Sequence, residues 1–268
     1  MISLVDTHAH IDLPAFDEDR EAMLSRAYAA GVHAIVAIGH NPERWRTTAE
    51  LCSSYPFVVR TAGLHPNDAA IWNEEILEEL ERDLATGEPI AVGETGLDFF
   101  RDSAPADLQR EAFSAQIALA RRYDLPLVIH QRSAGAGVLE MLRAHGPIRG
   151  VMHCFGGDEP FARSCVDSGL MLGIGGVATY PKSEEVRRAL AGVPLESVIL
   201  ETDAPYLAPQ AWRGKRNEPS YVVAAVEVLA TIHGLPVEEI ARQTTANALR
   251  LFGERLEMAR RNGAELGR

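Results

Sequence analysis

The side chains best suited to chemistry in this chain are imidazoles and carboxylates. In VDTHAH, residues 5–10, His8 and His10 stand one residue apart. Side chains two apart on an extended strand share a face, so these rings can converge on one point. That is how a metal site starts, although an H-x-H pair alone equally fits two half-exposed histidines at a strand end. Further candidates follow at wide spacing: Glu94 in AVGETGLD, His130 in LPLVIHQ, His153 in MHCF and Asp203 in LETDAP. Taken singly, His130 or His153 fits a hydrogen-bonded strand-end histidine, and Glu94 or Asp203 fits a helix cap or salt-bridge partner. Taken together they would crowd carboxylates and imidazoles into one place. Buried charge is costly there unless it is paired or metal-bound.

Positioning them requires a repeating scaffold. Eight β-rich runs occur, ISLVDTH, HAIVAIG, FVVRTAGLH, PIAVGETGLD, LPLVIHQ, RGVMHCF, LMLGIGG and SVILETDAP, separated by stretches with helical spacing. The clearest helix is DLQREAFSAQIALARRYD, whose apolar members fall at three- and four-residue steps on one stripe. Strands alternating with helices imply right-handed parallel crossovers, and eight units over about 250 residues fit a closed (β/α)8 TIM barrel. An open doubly wound sheet is the alternative, but GETG and GIGGV lack the G-x-G-x-x-G turn of a dinucleotide site. His8, His10, Glu94, His130, His153 and Asp203 all fall at the carboxyl ends of strand candidates. In a barrel those ends form one rim, where such folds carry their chemistry.

Composition narrows the function classes. With 268 residues, 46% hydrophobic and 24% charged, the chain can bury a large core, and no linker divides it, so residues 1–268 are expected to form one domain. ERLEMARRNGAELGR, from residue 254, is polar and is expected to be a fraying final helix. Met1 to Val5 lacks a basic signal-peptide start, and no apolar run approaches the roughly 20 residues of a membrane span; the expectation is a cytoplasmic protein with no membrane contact. Cys52, Cys154 and Cys165 show no C-x-x-C spacing and read as buried reduced thiols. A formal net charge of -12 excludes a broad nucleic-acid-coating surface, so a polyanion would have to be held locally.

In DTHAHID, GLHP, GETGLDFFRD, LPLVIH, MHCFGG, LETDAPYLAP, RGKRNEP and TTANALRLFG, in order from Asp6 to Gly253, the chain resembles the TatD-type metal-dependent DNases of the amidohydrolase superfamily. H-x-H marks a very broad group, whereas GETGLD, HCFGG and ETDAPYL together are specific. The resemblance implies a metallo-dependent hydrolase with two divalent ions: His8 and His10 on one, Glu94 bridging, His130 and His153 on the second, and Asp203 beside the first. Such ions lower the pKa of water to roughly 7, and Asp203 would orient that water and accept its proton. Neutral imidazoles with carboxylates suit zinc, manganese or magnesium. AVGETGLD has no lysine, unlike phosphotriesterase-like relatives that bridge through a carbamylated one.

The same resemblance implies a DNA substrate, cut by an exonuclease-like phosphodiesterase without an obligate protein partner. Arg213, Lys215 and Arg216 in PQAWRGKRNEPSY form a basic cluster in the last strand-helix loop. It is either a solvated face or a holder of phosphate, and a single such loop suits single strands or ends. His65 in GLHP would contact substrate by resemblance, or else be a turn histidine before Pro66. Arg132 would hold phosphate or buttress the site as a salt-bridge partner, although HQRSAGAGV lacks the acidic residue that often follows that arginine. Asp6, on the same face as His8 and His10, is placed to orient an imidazole. Two alternatives stay open: a binuclear hydrolase of another ester, amide or lactone bond, and a barrel that only binds.

Overall fold

The computed structural model describes residues 3–265. Eight strands appear in the expected order: β1 (Leu4–Ala9), β2 (Val32–Ala37), β3 (Val58–Arg60), β4 (Val92–Asp98), β5 (Leu127–Arg132), β6 (Gly150–Met152), β7 (Leu170–Ile174) and β8 (Val198–Leu200). Every ladder is parallel. β1, β2 and β3 form one sheet, and β4 to β8 a second, each in sequence order. Single bridges close the two seams between them, Ala62 to Val92 on one side and Ala9 to Ala204 on the other. The sheet therefore closes into the expected barrel rather than the open alternative.

Helices cross over between strands: α1 (Arg20–Ala29), α2 (Pro42–Ser54), α3 (Glu74–Ala85), α4 (Ala106–Arg122), α5 (Gly135–His145), α6 (Glu159–Asp167) and α7 (Glu184–Ala191), followed after β8 by α8 (Val223–His233), α9 (Val237–Phe252) and α10 (Glu254–Glu265). Local chemistry starts several of them. Asn41, Asn73 and Asp158 each accept a backbone N–H in the first turn of the following helix. The stripe on α4 is buried as expected, and it carries two glutamines that no apolar pattern explains. Gln109 exchanges hydrogen bonds with the backbone of Asp98 (2.8 and 3.0 Å), and Gln116 with that of Leu64 (2.7 and 3.1 Å). These buried amides pin the chain beside Asp98 and His65.

Two main clusters make the core. One fills the layer between strands and helices. The other joins Val5, Ala34, Val36, Val128, Val151 and Ile199, from around the barrel, to Leu251, Phe252, Leu256 and Ala259. Val5, Val128, Val151 and Ile199 are each the second residue of their strand, so α9 and α10 cover the amino-terminal end of the barrel, opposite the rim. Through Glu265, α10 is therefore no fraying tail: Leu256, Ala259 and Gly263 are buried, and a Cβ on Gly263 would stand 1.9 Å from the His33 carbonyl. Among the described residues, no single helix is long and apolar enough to cross a membrane.

Candidate metal centre

The strand ends deliver the expected side chains to one mouth. His8 lies within β1 and His10 just past it; His130 lies within β5, His153 just past β6, and Asp203 three residues past β8. Glu94 departs from its expected position at a strand end. It is the third residue of β4, where the register with β5 shifts between Gly93 and Thr95. The irregularity turns Glu94 into the mouth. Asp203 has a left-handed backbone (φ 59°), which aspartate tolerates better than most residues, and its N–H donates to the His8 carbonyl at 2.9 Å.

The side chains converge on two carboxylates. Asp203 Oδ1 is 3.4 Å from His10 Nε2, 3.7 Å from His8 Nε2 and 3.8 Å from His153 Nε2. Around Glu94, His8 Nε2 is 3.5 Å from Oε2, while Oε1 is 2.9 Å from His130 Nδ1, 3.6 Å from His65 Nε2 and 3.9 Å from His153 Nε2. Most of these separations are too long for hydrogen bonds. Donors about 2.1 Å from a tetrahedral ion lie about 3.4 Å from one another, close to what is seen. Among the described residues, both nitrogens of the buried His8 and Nδ1 of His10 lack a hydrogen-bond partner, and the His8 and His153 rings are stacked with centroids 3.5 Å apart. Buried imidazoles left without partners in this way fit divalent cations. Among the described residues, three groups could each hold an ion: His8, His10 and Glu94; His65, Glu94 and His130; and His8, His153 and Glu201.

Electrostatics run in opposite directions within the cluster. Burial lowers the pKa of His8, with the neighbouring His153 acting the same way, and pushes His65 down to about 3. Burial also opposes charge on His153, but Glu201 and the other carboxylates overcome it and raise the ring to about 10. His10 and His130 rise for the same reason, burial being outweighed by Asp203 for one and by Asp98 and Glu94 for the other. Burial disfavours ionised Glu94 and Asp203, yet the surrounding imidazoles hold both below the ordinary carboxylate range. The carboxylates are ionised and crowded by rings that can serve as neutral ligands.

Three positions differ from expectation, and a fourth, His65, takes the second of its two readings, a turn histidine before Pro66. Asp6 orients no imidazole: its Oδ1 accepts the backbone N–H groups of Thr202 (2.9 Å) and His8 (3.2 Å), and Oδ2 meets the Thr202 hydroxyl at 2.6 Å. Alternation puts its side chain on the His8 face, but two residues deeper along the strand it ties β1 to the β8 loop. Arg132 forms no salt bridge among the described residues; it is exposed, with its guanidinium 3.9 Å above the Phe100 ring. Arg216 is held by Asp19 (2.6 and 2.8 Å) and by the Ala15 carbonyl (2.6 Å), so it anchors its loop to the start of α1 instead of facing the mouth as a free cation. His65, expected at the substrate or in a turn, also falls into a ligand group with Glu94 and His130, its Nδ1 occupied by the Asn67 N–H at 3.0 Å. Arg213 and Lys215 remain exposed and lack a carboxylate partner among the described residues, Arg213 lying 4.0 Å over the Tyr180 ring.

Sequence reading missed three residues. Glu201 is buried 2.9 Å from His153 Nδ1 and accepts the Cys154 N–H at 2.6 Å; its signal was its place two residues before Asp203, on the same strand-end face. Asp98 faces His130 Nε2 at 3.2 Å. His40, just beyond β2, lies with its ring 5.1 Å from that of His10. Cys154 has a thiol raised by burial and by Asp203, and it offers no nucleophile.

The sequence matches the TatD related DNase family over residues 5–253. YabD of Bacillus subtilis (strain 168), an uncharacterized metal-dependent hydrolase, is 39% identical over 93% of this chain and 98% of its own length. The 3'-5' ssDNA/RNA exonuclease TatD of Erwinia tasmaniensis is 34% identical over 93% of this chain and 99% of its own. The crystal structure of YJJV, a TatD homolog from Escherichia coli K12, superposes with a TM-score of 0.89 at 34% identity, covering 93% of this chain and 97% of that one. With its barrel, its histidine-carboxylate mouth and these relatives in agreement, the chain belongs to the TatD-related DNase family, metal-dependent hydrolases of the amidohydrolase superfamily.

Proposed function

We propose that this hydrolase removes nucleotides from an end of single-stranded DNA, using two divalent ions held by His8, His10, Glu94, His130, His153 and Asp203. The observation that carries the reading is the position of Glu94, whose two oxygens face different imidazole sets, His8 on one side and His130, His65 and His153 on the other. A carboxylate between two such sets suits a bridge. When bound, the ions would supply Lewis acidity toward a phosphodiester and a water whose pKa is lowered to roughly 7. Asp203 is ionised at neutral pH, at the partly open lip of the cluster, where it can orient that water and take its proton. Glu201 and Asp98 fix the ring orientations of His153 and His130 from behind. Arg213 and Lys215 lie on the same rim and are available to hold phosphate. Support for the substrate comes from the 34%-identical relatives named as 3'-5' ssDNA/RNA exonucleases.

The test is nucleotide release from end-labelled single-stranded DNA by metal-stripped protein, with Mg, Mn or Zn restored separately. Wild-type activity restored by a metal and absent from Glu94→Ala supports the reading. In Asp203→Asn, turnover should vanish while most metal is retained; parallel loss of both would reduce Asp203 to a ligand. Metal binding without release from any oligonucleotide would move the reading to another ester, amide or lactone bond.

A further inference from the structure

Few large apolar side chains are exposed among the described residues, and four of them, Phe99, Phe100, Tyr206 and Leu207, stand in the two loops that follow β4 and β8 at the mouth. Phe100 is 65% exposed and Tyr206 53%. Neither is a loose surface residue. The Phe100 N–H donates to Asp98 Oδ1 at 2.9 Å, the other oxygen of the carboxylate that faces His130. The neighbouring Phe99 N–H donates to the Arg132 carbonyl at 2.9 Å, and the Arg132 guanidinium carbon lies over the Phe100 ring, 3.9 Å from its centre. The Tyr206 N–H donates to the Asp203 carbonyl at 2.8 Å, its carbonyl accepts from the buried Asn217 amide at 2.6 Å, and its ring centroid is 5.9 Å from that of His10. The Phe100 backbone is thus tied through Asp98 to His130, and the Tyr206 backbone directly to that of Asp203. In the order of eight strands, β4 and β5 lie across the barrel from β8 and β1, so the two rings bracket the centre from opposite edges.

From this arrangement, and resting on the proposed nuclease reading, we infer that the Phe100–Arg132 pair and Tyr206 are nucleobase platforms on either side of the scissile phosphate. Aromatic and guanidinium faces stack on any base, which makes the grip tolerant of sequence. A base face is open to such stacking only when the strand is unpaired, so the platforms favour single strands over duplex. Arg132, expected at phosphate or in a salt bridge, instead stiffens one platform.

The experiment uses the metal-loaded full chain and its Phe100→Ala, Phe100→Trp and Tyr206→Ala variants. Substrates are a single-stranded oligothymidylate and the same strand with abasic units in its terminal positions. Phe100→Ala and Tyr206→Ala should each raise KM for oligothymidylate about tenfold, equivalent to about 1.4 kcal/mol of stacking, with kcat little changed. Phe100→Trp should restore KM, and neither alanine variant should lose anything further on the abasic strand. Equal losses on intact and abasic strands, or an unchanged KM, would overturn the inference. Anisotropy with a hydrolysis-resistant phosphorothioate oligothymidylate separates the two readings. Phe100-dependent binding without hydrolysis under any metal would sink the nuclease reading and keep the platforms, whereas wild type that fails to bind the strand would overturn the platforms.

Discussion

Asp6 is fully buried, and burial pushes its carboxyl from 3.8 up to about 7 against the hydrogen bonds from Thr202 and His8. The folded protein therefore keeps a proton there that the unfolded chain has released above about pH 4. Stability from this group is full below 3.8 and is lost as pH rises through about 7. Removing the proton site by Asp6→Asn in metal-free protein should flatten the profile. The wild type should lose roughly 3 kcal/mol relative to the variant between about pH 5 and about pH 7.5, read by urea denaturation. A constant difference would mean that Asp6 is ionised throughout. A close approach gives a second prediction: a Cβ on Gly173 would stand 2.1 Å from Glu201 Oε2. Gly173→Ala should displace Glu201 from His153 and weaken metal binding by roughly 10-fold or more by calorimetry, as lost outer-shell support does elsewhere. At this scale the sequence was informative where a residue type is rare at a strand end, as with His8, His130 and Asp203. It was silent where identity depends on a neighbour across the barrel: Glu201 and Asp98 have meaning only beside His153 and His130.

The loop after β8 divides by partner. Arg216 is committed to Asp19 and Ala15, Arg26 to Glu218 and Asp19, and Asn217 to the Thr202 and Tyr206 carbonyls. Three nearby basic positions read alike in sequence, yet among the described residues Arg216 has a carboxylate partner while Arg213 and Lys215 have none. Arg216→Ala should lower stability by about 1 kcal/mol in thermal or urea unfolding, a modest cost because the pair is about one third exposed. Arg213→Ala should leave stability unchanged and reduce the salt dependence of oligonucleotide turnover. The reverse pattern would return Arg216 to the substrate. Strand and helix order was legible from apolar periodicity, while the strand ends were not. β3, β6 and β8 are three-residue ladders, and the residues read as their continuations leave the sheet to form the mouth.

The barrel as a whole was legible as eight alternating units. Closure was legible too, from eight units over about 250 residues, whereas the make-up of the seams was not: each is a single bridge backed by a few backbone hydrogen bonds, such as Asp203 N–H to the His8 carbonyl and Gly93 N–H to the Ala62 carbonyl. Each of the three ligand groups crosses a seam: His8, His10 and His65 come with the three-stranded sheet, and Glu94, His130, His153 and Glu201 with the five-stranded one. An ion bound at the mouth therefore joins the two sheets, and its binding free energy becomes folding free energy. Chelation should lower Tm by several degrees for roughly 2 to 3 kcal/mol of binding free energy at the seams. The amides beside Ala9, Ala62, Val92 and Ala204 should be the first to gain hydrogen-exchange rate, and an unchanged Tm would separate the ions from the fold. With an ion bound, the mouth would thus act as a rivet between the two sheets, and the metal supply would govern how long the folded chain survives proteolysis.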